Sequence, residues 1–177
     1  MAIERWSIDT AHSSLYFIVR HLVVTKVRGT FTKWSGTIDL DAEDVSRSHV
    51  SAKIDVASID TREAQRDGHL RSADFFDVEK FPEMTFTSTR VDGENVVGEL
   101  SLHGVTKEVK LSVESLGKHK DPWGNERMAY SAKGALNRSD FGLKYNQVLE
   151  AGGLLVSDKV EIEIEVQALR AKAEAAA

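Results

Sequence analysis

The residues of this chain that could do chemistry are few and fall into small groups. Asp9, His12 and Ser13 contain the residue types of a nucleophilic triad. A triad also needs a strained turn under the nucleophile and oxyanion donors, and a cluster at a strand edge supplies neither. No catalytic residue is therefore expected. The six histidines show no His-x-His or His-x-x-x-His spacing, and there is no cysteine, so no metal site is expected either. No glycine-rich phosphate loop occurs. Arg66, Asp67, His69 and Arg71 form a second group. Its arginines could grip a pyrophosphate through the guanidinium fork, or the group could pin its own segment to the fold as a network of paired charges. His21 shares strand parity with Leu15, Phe17 and Val19. Its ring could meet the polar end of a ligand, or bond to a nearby carbonyl as buried polar groups usually do. His103, beside Gly104, reads as a turn-shaping residue.

These groups must be carried by a mostly β scaffold. Val50, Ala52, Ile54 and Val56 alternate with polar residues, as do Met84 and Phe86, Val96 to Leu102, and Val109 to Val113. In the last such run Val160, Ile162, Ile164 and Val166 are set against Glu161, Glu163, Glu165 and Gln167. Period two with one wet and one dry face predicts strands. With the runs Leu15 to Val19, Thr30 to Leu40 and Met128 to Leu136, the number expected is about eight. His103-Gly104 and Asp121-Pro122-Trp123-Gly124 are turn signals, the second with proline placed for a type I turn. From Asp60 to Asp77 the period is lost and a short helical insert is expected, capped by Asp60 with Glu63 three residues on. Gly68 weakens that helix by about 1 kcal/mol relative to alanine.

With 177 residues the chain suits one domain, expected over residues 1–170, with an alanine-rich tail at 171–177 expected to fray. Hydrophobic residues are 41% and charged residues 29%, a globular balance. The net charge of −5, with no basic block, gives no nucleic-acid footprint. Without cysteine there can be no disulfide, and either redox compartment is tolerated. The start Met-Ala-Ile-Glu-Arg-Trp lacks the basic and apolar stretches of a secretion signal, and no apolar run approaches the ~18 residues of a membrane span. A cytoplasmic location is the expectation.

Eight strands can form a sandwich or a closed barrel, and closure removes the exposed edges. Gly98, Ala52, Ala132 and Gly134 hold inward positions, and small residues there leave room. Phe17, Phe31, Phe75, Phe76, Phe86 and Phe141 offer an apolar lining. Either these residues interdigitate as an ordinary core, or they enclose a cavity.

The motifs themselves narrow this choice. Ile8-Asp9-Thr10-Ala11-His12-Ser13, Phe17-x-Val19-x-His21, and Arg66-Asp67-Gly68-His69-Leu70-Arg71-Ser72-Ala73-Asp74-Phe75-Phe76-Asp77 resemble the YceI-like polyisoprenoid-binding proteins. So do Phe81-Pro82-x-Met84-Thr85-Phe86, Gly98-Glu99-Leu100-Ser101-Leu102-His103-Gly104-Val105-Thr106-Lys107, and Arg138-x-Asp140-Phe141-Gly142. They occur in family order over essentially the whole domain. The resemblance implies an all-β fold, an eight-stranded antiparallel lipocalin-like barrel with a short helical insert. It further implies a pore holding an isoprenoid chain, often a homodimer, and in many relatives a secretion signal.

The ligand expected on that basis is a polyisoprenoid or similar long lipid: a polyprenol, its pyrophosphate, or an isoprenoid quinone. It would be held non-covalently, with no other cofactor. Its chain would lie among Phe17, Val19, Phe31, Phe86, Leu100, Leu102 and Leu136, with Phe75, Phe76 and Phe141 beside it. Its polar end would lie near His21, Arg66 or His69. Transport or storage would entail transient membrane contact. Two rival classes are an enzyme modifying such a lipid and an interaction module whose barrel is filled by its own side chains.

Overall fold

A computed structural model of the chain describes residues 3–22, 24–146 and 156–171. The alternating runs become eleven strand segments: β1 (Glu4–Ile8), β2 (Ser14–His21), β3 (Thr25–Phe31), β4 (Trp34–Leu40), β5 (His49–Asp55), β6 (Ile59–Asp60), β7 (Glu83–Val91), β8 (Asn95–Leu102), β9 (Val105–Lys120), β10 (Glu126–Asn137) and β11 (Lys159–Arg170). Every pairing is antiparallel. The order β1-β4-β5-β7-β8-β9-β10-β11 closes on itself through β1–β11, which makes a barrel of eight strands.

Segments β2, β3 and β6 extend three of those strands. β1 and β2 share one edge of β11, where Trp6 faces Arg170 and Ile18 faces Glu161. Between them the 3-10 turn Thr10–His12 bends the strand, with the Asp9 carboxylate accepting the Ala11 N–H at 3.2 Å. Thr32 and Lys33 separate β3 from β4, and the 3-10 turn Val56–Ser58 separates β5 from β6. The run Thr30 to Leu40, expected as one strand, is thus broken at its third and fourth residues. Each bend lets a strand curve around a closing barrel, the usual role of such local irregularities.

Both expected turns form. His103 (φ 54) and Gly104 (φ 74) lie between the paired residues Leu102 and Val105; two positive φ values in a two-residue loop define a type I′ hairpin. At the other end of the barrel the Gly124 N–H donates to Asp121 O at 3.0 Å, with Pro122 at the second turn position.

The helical insert is short, as expected, α1 spanning Ala64–Arg71. Its cap is Glu63 rather than Asp60. The Glu63 carboxylate accepts the N–H groups of Gln65 and Arg66, at 3.2 and 2.6 Å. Asp60 instead accepts the Arg62 N–H at 2.8 Å, in a turn that holds Arg62 at φ 65. Among the described residues no helix is long and apolar enough to cross a membrane. Residues 172–177 of the tail lie outside the described residues.

The interior has two apolar regions. Trp6, Leu40, Met128 and Ala168 pack solidly together. The larger group, including Ile54, Met84, Phe86, Leu100, Leu102 and Val109, coats the wall of the remaining barrel. Gly98 and Gly134 do not leave room, as small inward residues were expected to. A Cβ on Gly98 would lie 2.5 Å from the Phe86 ring, and one on Gly134 would lie 2.7 Å from Leu111. Gly36 is covered by Ile8 at 2.6 Å, and Gly29 by the ring of Phe17. These glycines seat bulky neighbours flat against the wall.

Candidate functional site: an apolar cavity through the barrel

Flattening the side chains against the wall leaves the centre empty. The cavity measures about 830 Å³, in the upper part of the ~300–1,000 Å³ range of small-molecule sites. Its middle is apolar. β11 contributes Val160, Ile162, Ile164 and Val166; β10 contributes Ala132 and Leu136; β9 contributes Val109, Leu111 and Val113. Charged and imidazole groups are confined to the ends. His21, Arg66, His69 and Arg138 lie at the α1 end, and Asp92 and Lys118 at the end nearer the Trp6 cluster.

Of the residues named from the sequence, Phe17, Val19, His21, Phe31, Arg66, His69, Phe75, Phe76, Phe86, Leu100, Leu102 and Leu136 line this cavity. Phe141 does not. It is 2% exposed, packed in the core beside the wall, and its carbonyl accepts a hydrogen bond from His103 Nδ1 at 3.0 Å. The residue was assigned by its aromatic type alone, and the 3-10 turn Arg138–Phe141 directs it elsewhere.

At the α1 end the aromatic rings form two sets. Phe31 contacts Phe17 and Phe76, with centroids 5.6 and 6.1 Å apart. His69, Phe75 and Tyr145 meet edge to face at 4.9–5.1 Å, a favourable geometry for ring quadrupoles. His69 Nε2 lies 2.9 Å from Asp74 Oδ2.

The charged residues of α1 act mainly as fasteners. Arg66 and Asp67 are joined through Thr61 rather than directly. Arg66 Nε donates to Thr61 Oγ1 at 2.7 Å, and that hydroxyl donates to the buried Asp67 carboxylate at 2.5 Å. Asp67 also accepts the Thr61 N–H, and Arg66 Nη2 donates to the Thr61 carbonyl. Arg71 donates to Ala57 O at 2.8 Å and Ile59 O at 3.0 Å, tying α1 to β6. Half-buried His21 keeps its ring at the cavity, and among the described residues it has no side-chain hydrogen bond.

Arg138 is the principal residue that sequence reasoning overlooked. It is 6% exposed and donates to the carbonyls of Ser157, Leu143, Tyr145 and Val156, at 2.7–3.4 Å. Burial pushes its pKa down, and Asp158 partly offsets this. It stitches together the backbone that forms one end of the cavity. The Arg138-x-Asp140-Phe141-Gly142 motif contained the signal, but nothing in the motif reveals a guanidinium satisfied wholly by carbonyls. The other missed lining residues, such as Trp34, Val50, Ile54 and Met84, were within reach of simple parity, which placed most of them on dry faces.

The Asp9, His12 and Ser13 group lies outside the cavity at the bend between β1 and β2. His12 Nδ1 is 2.8 Å from Asp9 Oδ2. The Ser13 hydroxyl instead donates to Asp9 O at 2.7 Å and accepts the Gln167 N–H at 3.0 Å. A hydroxyl so engaged offers no proton to His12. Arg127, bonded to both Asp9 (2.9 Å) and Asp121 (3.0 Å), completes this latch. Its hydrogen bond is the leading reason that the Asp9 pKa is lowered.

Comparison with known proteins agrees with this geometry. The YceI-like domain model matches residues 6–168. A UPF0312 protein of Staphylococcus aureus (strain MSSA476) is 36% identical over 162 residues, 91% of this chain and 95% of that protein. Among solved structures, the YCEI protein of Campylobacter jejuni is 32% identical with a TM-score of 0.73, covering 86% of this chain and 90% of that one. A polyisoprenoid binding domain from Saccharophagus degradans, implicated in plant cell wall breakdown, superposes with a TM-score of 0.68 over 94% of this chain and 98% of its own. At 20% identity that likeness is one of fold. Motifs in order, a closed eight-stranded barrel and a match over almost the entire length lead to one assignment: the chain belongs to the YceI-like family.

Proposed function

We propose that this barrel binds a long apolar lipid, a polyisoprenoid or a molecule of similar shape, and serves in its transport or storage rather than its chemical conversion. The observation that carries this reading is the cavity: about 830 Å³, apolar along its middle, with charged and imidazole groups only at its ends. Water gains little from such walls, because an apolar void offers it too few hydrogen-bond partners. An engineered cavity of ~150 Å³ holds one benzene. By that scale the present volume takes on the order of 30 carbons, or roughly six five-carbon units. At ~0.8 kcal/mol per buried CH₂ the gross gain exceeds the practical affinity limit of about 18–21 kcal/mol, so chain ordering absorbs much of it. Selectivity for chain length below that capacity is accordingly weak, and the polar end of the lipid lies at the α1 end near His21, Arg66 and His69. The description of the Saccharophagus domain as polyisoprenoid-binding supports the same ligand class.

The test is a titration with polyprenols of increasing length, followed by the emission of Trp34, which lines the cavity. Affinity should rise only gently with length and level off near 30 carbons, since further units have no wall to cover. Absence of any spectral change with all polyprenols and with isoprenoid quinones would overturn the proposal.

A further inference from the structure

A lipid carrier has to load and unload its cargo, and one end of this molecule brings exposed apolar and cationic side chains together. At the turn between β2 and β3, Leu22 is 47% exposed and Val24 is 80% exposed. Leu22 also sits at φ 54, a left-handed conformation that costs a branched residue energy and suits glycine or asparagine. An apolar side chain is thus kept at an exposed and unfavourable position.

The charges around this tip are equally unrelieved. Arg20 and Lys26 stand directly opposite each other across β2 and β3, a destabilising arrangement for like charges. Lys159 at the start of β11 continues the row, two residues beyond the Ile18–Glu161 pair. All three are exposed, and among the described residues none has an ion-pair partner. The nearby carboxylate of Glu163 is taken by Arg28 at 2.7 Å. Two residues of the same hairpin, His21 and Val27, line the cavity, so this tip stands at the cavity's α1 end.

We propose that the β2–β3 tip docks on an anionic bilayer, with Leu22 and Val24 entering the headgroup boundary and Arg20, Lys26 and Lys159 resting on acidic headgroups. Exposed aliphatic groups beside unpaired cations are the combination that anionic lipid surfaces bind. Docking there sets the cavity's α1 end against the bilayer, so a chain can pass without crossing water. This inference rests on the lipid-carrier reading, which supplies the reason for contact. Trp123, 81% exposed on the β9–β10 turn, lies at the opposite end, where Arg127 and Lys118 are paired with Asp121 and Glu4 and Lys120 stands opposite the carboxylate of Glu126.

The experiment is flotation of the full chain with phosphatidylcholine vesicles containing or lacking about 30 mol % phosphatidylglycerol, at low and high salt. The protein should float with the anionic vesicles only, and less so at high salt. Since each surface cation contributes about 1 kcal/mol, or roughly fivefold, the pair Arg20→Gln and Lys26→Gln should weaken binding about 25-fold. Leu22→Asn with Val24→Ser should weaken it by about tenfold, and asparagine suits the left-handed position, so this variant keeps its fold. Trp123→Ala should bind as the parent does. Unchanged binding in both tip variants, loss on Trp123→Ala, or equal binding to neutral vesicles overturns the proposal. So does a self-association that the Leu22→Asn, Val24→Ser variant abolishes in place of vesicle binding. Polyprenol titration of each variant keeps the two readings apart. A parent that floats but takes up no polyprenol contradicts the carrier reading alone, and one that takes up polyprenol but never floats contradicts docking alone.

Discussion

The ring of Phe17 occupies the space that a Cβ on Gly29 would need, the two residues facing each other across β2 and β3. On one side of that ring is backbone, and on the other is the cavity. Gly29→Ala should therefore push the ring inward rather than distort the sheet. The expected loss of stability is about 1 kcal/mol, the lower end of the range for overpacking, because empty space receives the displaced atoms. Urea denaturation measures that loss, and a polyprenol titration should show weakened uptake of the longest chains.

Ala132 points from the middle of β10 into the cavity. Ala132→Phe fills ligand space without meeting packed atoms, so the melting temperature should stay the same or rise while polyprenol affinity falls at least tenfold. Paired thermal melts and titrations check this. A destabilised variant with intact binding would show that the residue packs against protein and not against a ligand.

Removing the Arg138 guanidinium takes a donor from each of four backbone carbonyls, of which Val156 O keeps the Asn146 amide at 2.7 Å. Unsatisfied buried polar groups cost about 1–3 kcal/mol each at most, and relaxation shares that cost. Arg138→Met should lower stability by about 3–5 kcal/mol in urea denaturation. Arg138→Lys should recover little, since one ammonium cannot span the same carbonyls.

Acid should loosen the latch at the β1–β2 bend. Burial pushes the Asp121 carboxyl up, but hydrogen bonds from the Asn125 N–H, the Arg127 guanidinium, the Asn125 amide and the Trp123 N–H outweigh it and hold the pKa to about 2. A carboxyl with a folded pKa below its unfolded one of about 3.9 stabilises the fold above the unfolded value, and that contribution is lost as pH falls toward the folded one. Urea midpoints should drop between about pH 4 and pH 2. Asp121→Asn should start from a lower midpoint at neutral pH and show a shallower decline over that interval, with Asp9 supplying the remainder. Equal slopes would exclude Asp121 as a source of the acid sensitivity.

Period-two alternation made most of this architecture legible, because one face of each strand is wet. Ile162 and Ile164 differ from Glu161 and Glu163 in the sequence as they do in space. Three bends were hidden, since Thr10–His12, Thr32–Lys33 and Val56–Ser58 depend on side-chain caps and barrel closure rather than on hydrophobic period. The inward glycines misled: a missing Cβ signals close approach, but not whether a ring or a void fills the gap, and Phe86 fills the one at Gly98. Arg66 and Asp67 are adjacent in sequence and suggested a direct pair, whereas helical geometry turns them apart and Thr61 bridges them. Phe141 and Arg138 were beyond local reading, because what each touches is set by segments far along the chain.

Mass spectrometry of an organic extract of the purified protein tests most directly whether this barrel is a container. The account predicts recovery of a long-chain isoprenoid or comparable lipid at a substantial fraction of one molecule per chain, and loss of that species from the Ala132→Phe variant. A lipid-free extract, from protein that also takes up no added polyprenol or quinone, would contradict it.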